Sequence, residues 1–172
     1  MQLQSLDAQV YRQRSRRLAW LFALVFAFLG MLFSSSLVYF WGSSQGGNFY
    51  LNLTGVLLGL GLTSLLVSLN RKHPYMAEIQ YAWALKKTLN QISNRMPQIK
   101  AAAQANQPRA LQCLYFYYQG LKQIYHLEDN PHHQVELLAD IQALKEQLES
   151  LGLDYSHLDT FDPQWLTDLE AG

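Results

Sequence analysis

Residues 18–70 carry no charged side chain, and no other feature of the sequence limits the possible folds as strongly. This stretch contains two apolar runs, 18–41 and 49–69, on either side of the turn-forming segment 42–48. At 1.5 Å per residue, helices of these lengths reach about 36 Å and about 31 Å, enough to cross a hydrocarbon layer of about 30 Å. The pattern predicts two transmembrane helices, 18–41 and 49–69, joined by a short external loop, 42–48.

Arginines precede the first run, as they precede the apolar core of a secretory signal peptide, and small residues near Ser36 offer a cleavage site. The length of the run favours a retained anchor, because the core of a signal peptide has about 7–15 residues. The second run favours the same interpretation, since cleavage would remove the helix against which it packs. We therefore expect the first run to remain in the protein.

Positive charges flank both apolar runs on the side away from the loop. They are Arg12, Arg14, Arg16 and Arg17 in the basic segment 1–17, and Arg71 and Lys72 after the second run. The loop carries no charge, so the positive-inside rule places both termini in the cytoplasm and the loop outside. Aromatic residues near the predicted boundaries, such as Trp20, Trp41 and Tyr50, are typical of the interfacial belts of membrane proteins.

Small residues recur at a spacing of four in both runs: Gly30 and Ser34 in the first, Gly55 and Gly59 in the second. This spacing puts each pair on one helix face, where small side chains let two helix backbones approach closely. Packing of the two spans against each other is the favoured interpretation, and a contact between two copies of the chain is the alternative. Neither run contains an ionisable residue, which argues against a transporter that works alone.

The segment 74–172 shows helical periodicity and no strand-like alternation. Its first helix has an apolar face made by Met76, Ile79, Trp83, Leu89, Ile92 and Met96. Pro97 is expected to end or kink this helix, because proline lacks the backbone N–H that an interior helical position requires. Pro108 suits the first turn of a later helix, where that N–H has no partner in any case.

A leucine-rich helix follows, and Asn130 and Pro131 are expected to begin it. Its apolar positions step by four and three: Leu137, Ile141, Leu144, Leu148 and Leu151. They cover only about two heptads, so an intramolecular helical hairpin is favoured over a coiled coil, and Gly152 is expected to end the helix. In the tail, Asp162 is expected to cap a short turn whose apolar residues pack back on the domain: Trp165, Leu166 and Leu169. The predicted fold is all-α, with a two-helix transmembrane hairpin followed by a cytoplasmic bundle of three to four helices.

The densest aromatic stretch, "LYFYYQGL", lies in the helix that Pro108 begins. One face of that helix is formed by Leu111, Leu114, Tyr115, Tyr118, Leu121 and Tyr125. Phe116 and Tyr117 point away from this face, so the helix is apolar nearly all round. Such a helix is favoured as the central one of the bundle, covered on both sides. The alternative is that Phe116 and Tyr117 form a face that binds a partner protein.

The charges differ between the two parts of the segment 74–172. Lys86 and Lys87 follow the predicted membrane boundary closely, and with the arginines and lysine that flank the spans they are predicted to contact anionic lipid head groups. Residues 110–172 carry eleven acidic and two basic side chains. The whole segment 74–172 is therefore net acidic, which argues against nucleic acid as a partner.

Candidate catalytic and ligand-binding residues are few. Cys113 lies in an apolar helix without a basic neighbour in sequence, so it is predicted to be a buried, inert thiol. His132, His133 and Glu136 put a histidine and a carboxylate on one helix face, but a metal site needs three or four ligands and no second cluster supplies them. The sequence contains no nucleotide-binding or nucleophile motif. We expect no metal, no cofactor and no enzymatic activity.

The layout resembles a family of small proteobacterial inner-membrane proteins of unknown function. The resemblance rests on the arginine-flanked hairpin, on "NRKHPYMAEIQYAWALKKTLN" after it, and on "LYFYYQGL". It covers nearly the whole chain and implies a location in the bacterial inner membrane, but it transfers no site residues. The function expected from the sequence is a membrane-anchored helical module that recruits or braces a protein partner, or forms a homo-oligomer, at the cytoplasmic face. The alternative is an accessory subunit of a larger transport or respiratory complex.

Overall fold

The computed structural model describes residues 1–130, 134–154 and 158–168, with the side chains of Thr167 and Asp168 left out. Within these residues the chain forms seven α-helices and no β-strand, which confirms the all-α prediction. The helices are α1 (Ala8–Trp41), α2 (Phe49–Leu69), α3 (Ala77–Ser93), α4 (Met96–Gln104), α5 (Pro108–Glu128), α6 (Gln134–Ser150) and α7 (Gln164–Asp168). A single 3-10 turn, Pro74–Met76, precedes α3.

The chain divides into two compact units. The hairpin unit is Arg12–Gln80, and the helical unit combines Met1–Tyr11 with Tyr81–Gly172. This division differs from the expected boundaries at residues 17 and 74, because the first eleven residues belong with the helical unit. The reason is backbone pairing: the N–H of Leu3 donates to the carbonyl of Asp159 at 2.8 Å, and the N–H of Phe161 donates to the carbonyl of Met1 at 2.7 Å.

In the hairpin unit, α1 and α2 are both long and apolar enough to cross a membrane. Helix α2 covers the same residues as the second apolar run, and α1 ends at Trp41, where the first run ends. The loop between them is closed by the side chain of Asn48. Its amide donates to the carbonyl of Ser43 at 3.0 Å, and its Oδ1 accepts from the N–H of Ser43 at 2.9 Å. Gly46 and Gly47 have φ of +97° and +82°, a conformation that glycine adopts without strain.

The helical unit is built around α5. Both faces of this helix are covered, with Leu111, Cys113 and Phe116 all fully buried, so the prediction of a central helix agrees with the structure. Helix α3 buries Leu85 and Leu89 where it approaches α5, and a methyl group on Gly120 of α5 would meet Leu89 Cδ2 at 2.7 Å. Trp83 was expected on this buried face and is 48% exposed instead. The buried face of α3 runs through Ala82 and Leu85, which leaves Trp83 on the solvent side.

Helix α4 begins at Met96 and contains Pro97 in its first turn, so Pro97 begins a helix and does not kink the preceding one. Pro108 lies in the first turn of α5, as predicted. Helix α6 packs on α5 as an intramolecular hairpin, and its buried residues are Leu137, Ile141, Leu144 and Leu148. Leu151 is the exception, because it lies beyond the helix end and is exposed. Gly152 ends α6 at φ +67°.

The C-terminal segment covers one side of α5. Asp162 caps α7, since its Oδ1 accepts from the N–H of Gln164 at 3.0 Å. The ring of Phe161 stacks on that of Phe116, with centroids 5.3 Å apart, and Trp165 contacts Phe161 edge-on. Pro131, expected to begin the leucine-rich helix, and Leu169, expected to pack back on the domain, lie outside the described residues.

Candidate functional site

The hairpin helices touch backbone to backbone at the four predicted small residues. A methyl group on Gly59 would lie 2.6 Å from the backbone nitrogen of Gly30, and one on Gly55 would lie 2.4 Å from the Cα of Ser34. No Cβ fits at these distances, so glycine is required for the contact. The structure therefore brings all four residues together within one chain, which is the first of the two arrangements expected from the sequence.

Polar side chains in the same interface are satisfied by hydrogen bonds. The hydroxyl of Ser34 donates to Oδ1 of Asn52 across the two helices at 2.6 Å. The hydroxyl of Thr63, which is 6% exposed, donates to the carbonyl of Gly59 in its own helix at 2.8 Å. Both hydroxyls of this interface therefore have a hydrogen-bond partner.

A groove of about 480 Å³, here called the hairpin groove, opens where the early part of α1 lies beside the late part of α2. Its apolar lining includes Leu18, Leu21, Phe22 and Val25 of α1 and Leu66 of α2. Apart from Thr63, its polar lining is concentrated at one end and consists of Arg17, Asn70, His73 and Tyr75. The groove is therefore amphipathic along its length, with an apolar floor and a polar mouth.

The hairpin unit carries an excess of positive charge, and Arg17 brings one of these charges to the mouth of the groove. Glu78 is the one acidic residue of the sequence between 12 and 80, and it is already paired, because Arg14 Nη1 contacts both of its carboxylate oxygens at 2.6 Å. The guanidinium of Arg14 also lies 5.1 Å from the centre of the Tyr75 ring, a cation–π distance. Other basic side chains of this unit are exposed: Arg16, Arg17, Arg71 and Lys72.

His73 holds a defined hydrogen bond at the mouth. Its Nδ1 accepts from the backbone N–H of Tyr75 at 3.2 Å and caps the 3-10 turn. A neutral imidazole whose Nδ1 accepts carries its proton on Nε2. His73 therefore presents a hydrogen-bond donor on its other ring nitrogen.

The two lysines predicted to contact head groups belong to different settings. Lys86 forms an ion pair with Glu128 in the helical unit, and Lys87 is exposed. The neighbouring Tyr11 is buried, and that burial raises the pKa of its phenol, while Lys86 lowers it and Glu128 raises it. The positive charge of Lys86 is thus balanced by the carboxylate of Glu128.

A second pocket, here called the tyrosine pocket, lies in the helical unit and has a volume of about 230 Å³. Tyr117, Tyr118 and Tyr125 of α5 form one wall, and Glu136 and Asp140 of α6 form another. Burial, followed by the charge of Asp140 and its hydrogen bond, raises the pKa of Tyr118 to about 12. Tyr118 is consequently a protonated donor to Asp140 at any physiological pH.

The proposed partner face at Phe116 and Tyr117 needs a correction. Phe116 is fully buried, because the C-terminal segment folds over it and places Phe161 on its ring. It offers no surface to a partner. Tyr117 is partly exposed and lines the tyrosine pocket.

Cys113 is fully buried, and burial raises the pKa of its thiol to about 12, so the thiol stays protonated. In the part of the chain that the structure describes, no three His, Cys, Asp or Glu side chains lie close enough to hold a metal ion. His132 and His133 lie outside the described residues, so the metal hypothesis at His132, His133 and Glu136 has no geometry to report.

Sequence reasoning did not find the hairpin groove. The signal was present in α2, where Gly55, Gly59, Thr63, Leu66 and Asn70 recur at steps of four, four, three and four along one helix face. The small pair predicted the close contact, and its continuation to Thr63 and Asn70 marks the helix face that lines the groove, but not the point at which the two helices separate.

One family model, described as "Protein of unknown function (DUF3087)", matches residues 1–166. No curated protein and no solved structure matches the chain. The matched residues include both apolar helices, the hairpin groove and the tyrosine pocket. The resemblance seen in the sequence implied a family of unknown function. The chain belongs to such a family, DUF3087.

Proposed function

We propose that this protein is a non-enzymatic, membrane-anchored interaction module. In this proposal α1 and α2 cross the bacterial inner membrane, both termini lie in the cytoplasm, and the helical unit recruits or braces a protein partner at the cytoplasmic face. Exposed basic residues at the ends of the spans contact anionic lipid head groups, each with a gain of about 1 kcal/mol.

The observation that carries the proposal is the exposure of the hairpin. Only 6% of the most apolar stretch of α1 and 17% of that of α2 are buried within the protein. The exposed side chains are large and apolar, such as Trp20, Leu24, Phe28 and Met31, each more than 60% exposed. A surface of this size and composition is unstable in water, so lipid is the solvent that suits it.

The orientation is supported by charge. Basic residues lie at the ends of α1 and α2 away from the loop, and the loop has none. Reporter fusions test this directly: a cytoplasm-active reporter after residue 172 is expected to be active, and the same reporter inserted between Gly46 and Gly47 is expected to be inactive. Carbonate washing is expected to leave the protein in the membrane pellet. Release by carbonate, or the opposite reporter pattern, contradicts the proposal.

The partner surface is supported by exposed apolar side chains on α6. Val135 is 82% exposed and Leu138 is 49% exposed, beside the tyrosine pocket that Glu136 and Asp140 line. Apolar anchors beside a polar pocket are typical of protein interfaces. We expect the partner to present basic side chains to this region, because residues 110–172 are strongly acidic.

Site-specific photo-crosslinking separates this proposal from the accessory-subunit alternative. A photoreactive residue at Val135 or Leu138 is expected to capture a partner in intact cells, whereas the same residue at Leu57 or Phe28 on the hairpin is expected to capture lipid only. Capture of another membrane protein from Leu57 or Phe28, with none from α6, favours the accessory subunit. Trp83 is a matched control on α3, exposed but outside the proposed surface.

A further inference from the structure

We propose that the hairpin groove is a binding site for one anionic phospholipid, whose acyl chain lies along the groove and whose phosphate contacts Arg17 and His73. This inference rests on the proposed membrane location and adds a defined lipid site to it. The volume and length of the groove, the position of its polar end and the charge of the hairpin unit all favour such a lipid.

The size of the groove suits one lipid chain. A volume of about 480 Å³ lies within the range of small-ligand sites, about 300–1,000 Å³. Along α1 the lining extends from Arg17 to Val25, which at 1.5 Å per residue is about 12 Å. The lining beyond the mouth is almost entirely aliphatic or aromatic. Thr63 is the polar exception, and its hydroxyl is already bonded to the carbonyl of Gly59.

The polar mouth offers donors and no carboxylate. The guanidinium of Arg17 is exposed, and the Nε2 of His73 carries a proton because Nδ1 accepts from Tyr75. The side-chain amide of Asn70 already donates to the carbonyl of Leu66 at 2.8 Å. Phosphate oxygens accept from such donors, and charge-assisted bonds of this kind are about twice as strong as neutral ones.

The charge of the whole unit decides the class of lipid. Residues 12–80 contain six basic side chains and one acidic side chain, and Arg14 occupies that one acid, Glu78. A lipid with net negative charge is attracted by this excess, whereas a zwitterionic lipid of equal chain length gains much less. A second copy of the hairpin is disfavoured as occupant, since it would bring the same excess of positive charge to the same place.

The test uses the full-length protein in mild detergent and native mass spectrometry. Phosphatidylglycerol and phosphatidylcholine with identical chains are titrated in parallel. We expect a one-to-one adduct with phosphatidylglycerol at a concentration at least tenfold lower than with phosphatidylcholine. Equal adducts with the two lipids overturn the proposal. Glycerol phosphate, which has the anionic group without chains, is expected not to compete, and full competition by it also overturns the proposal.

Matched variants locate the site. Arg17→Gln is expected to weaken the phosphatidylglycerol adduct by several-fold, whereas Arg16→Gln, an exposed neighbour that does not line the groove, is expected to leave it unchanged. Leu21→Trp is expected to abolish the adduct by filling the groove, with Leu24→Trp as the control on the exposed surface. Equal losses from Arg16→Gln and Arg17→Gln indicate diffuse attraction and overturn the defined site.

The unmodified protein provides a readout that no folding defect can disturb. Phosphatidylglycerol with a photoreactive group in its acyl chain is expected to label Phe22, Val25 or Leu66. Label spread evenly over the exposed faces of both helices overturns the proposal. Membrane fractionation separates this failure from that of the proposed function: a protein that stays in the membrane without a selective adduct removes only the lipid site.

Discussion

The hairpin unit and the helical unit place their apolar side chains in opposite directions. In α2 the buried residues are Gly55, Gly59 and Thr63, while the large side chains face outward. In the helical unit the fully buried positions include Phe116, Phe161 and other large apolar side chains. Water drives large apolar groups inward. In lipid, the environment proposed for the hairpin, that drive is absent, and close backbone contact determines which residues lie inside.

The two units are also expected to tolerate different kinds of substitution. A core of interlocking large side chains loses stability when one of them is shortened, because a cavity remains. A contact made by backbone against backbone loses stability when a side chain is added, because neither partner can move aside. Paired substitutions in the two units therefore separate these two cases.

Phe161→Ala is expected to lower the free energy of unfolding of the helical unit by about 3–5 kcal/mol, because it removes the ring that stacks on Phe116 in a fully buried position. Thermal unfolding of the full-length protein, followed by circular dichroism, measures the effect. Trp83→Ala removes an aromatic ring that is 48% exposed, and it is expected to cost about 1 kcal/mol or less. Equal losses in the two variants contradict the packing described for the C-terminal segment.

Gly59→Ala is expected to destabilise the hairpin by about 1–3 kcal/mol, because the new methyl group would lie 2.6 Å from a backbone nitrogen. Gly120→Ala in the helical unit meets the methyl end of Leu89, which can rotate away, and alanine also favours the helix by about 1 kcal/mol. We expect Gly120→Ala to cost less than Gly59→Ala.

Gly61→Ala supplies the control, since a methyl group there meets nothing within 4 Å. Thermal stability in detergent measures all three glycine variants. A Gly59→Ala protein as stable as the Gly61→Ala protein would show that the helices are not held at the distance described.

The coupling energies of the ion pairs in the two units are expected to differ by a smaller amount. The Arg14–Glu78 pair is partly buried and contacts both carboxylate oxygens, so a double-mutant cycle with Arg14→Gln and Glu78→Gln is expected to give a coupling of about 1 kcal/mol. The Lys86–Glu128 pair is more exposed, and the same cycle there is expected to give about 0–0.5 kcal/mol. A larger coupling for the exposed pair would reverse the comparison.

Titration of the Cys113 thiol is expected to lower the stability of the folded protein only at alkaline pH. Its pKa in the folded protein is about 12, above the ordinary value of 9.0, so the unfolded state loses its proton first as the pH rises. The thiol therefore contributes stability below pH 9, and that contribution declines between about pH 9 and about pH 12.

Alkylation provides the measurement for Cys113. At pH 8 iodoacetamide is expected to label Cys113 only after unfolding, because the buried thiol carries almost no thiolate. A cysteine at the exposed loop position, Ser44→Cys in a Cys113→Ser background, is expected to react rapidly. Rapid labelling of Cys113 in the folded protein contradicts its position in the core.

The features that sequence reasoning found are those set by local pattern. Charge-free runs, proline and glycine positions and helical periodicity are properties of neighbouring residues, so they predicted the bounds of α2, the start of α5 and the end of α6. The contact of the four small residues in the hairpin was predicted for the same reason, because two long helices joined by a short loop leave few arrangements open.

The features that it missed depend on residues far apart in the chain. Phe116 was a candidate partner residue because nothing near it in sequence covers it, and it is covered by Phe161, 45 positions later. Trp83 was assigned to a buried face because its neighbours fit the helical period, although Ala82 and Leu85 carry that face. The hairpin groove required knowledge of where two packed helices separate, which no single-helix pattern contains.

The pairing of Leu3 with Asp159 and of Phe161 with Met1 sets an order of events during synthesis. The ribosome adds about 5–20 residues per second, so the first residues wait about 8–30 s before their partners exist. Both hairpin helices are completed within that interval, before Asp159 and Phe161 are made. The hairpin can thus form, and in the proposed membrane location insert, while the helical unit is still an open chain, and the segment that carries Asp159 and Phe161 closes that unit afterwards.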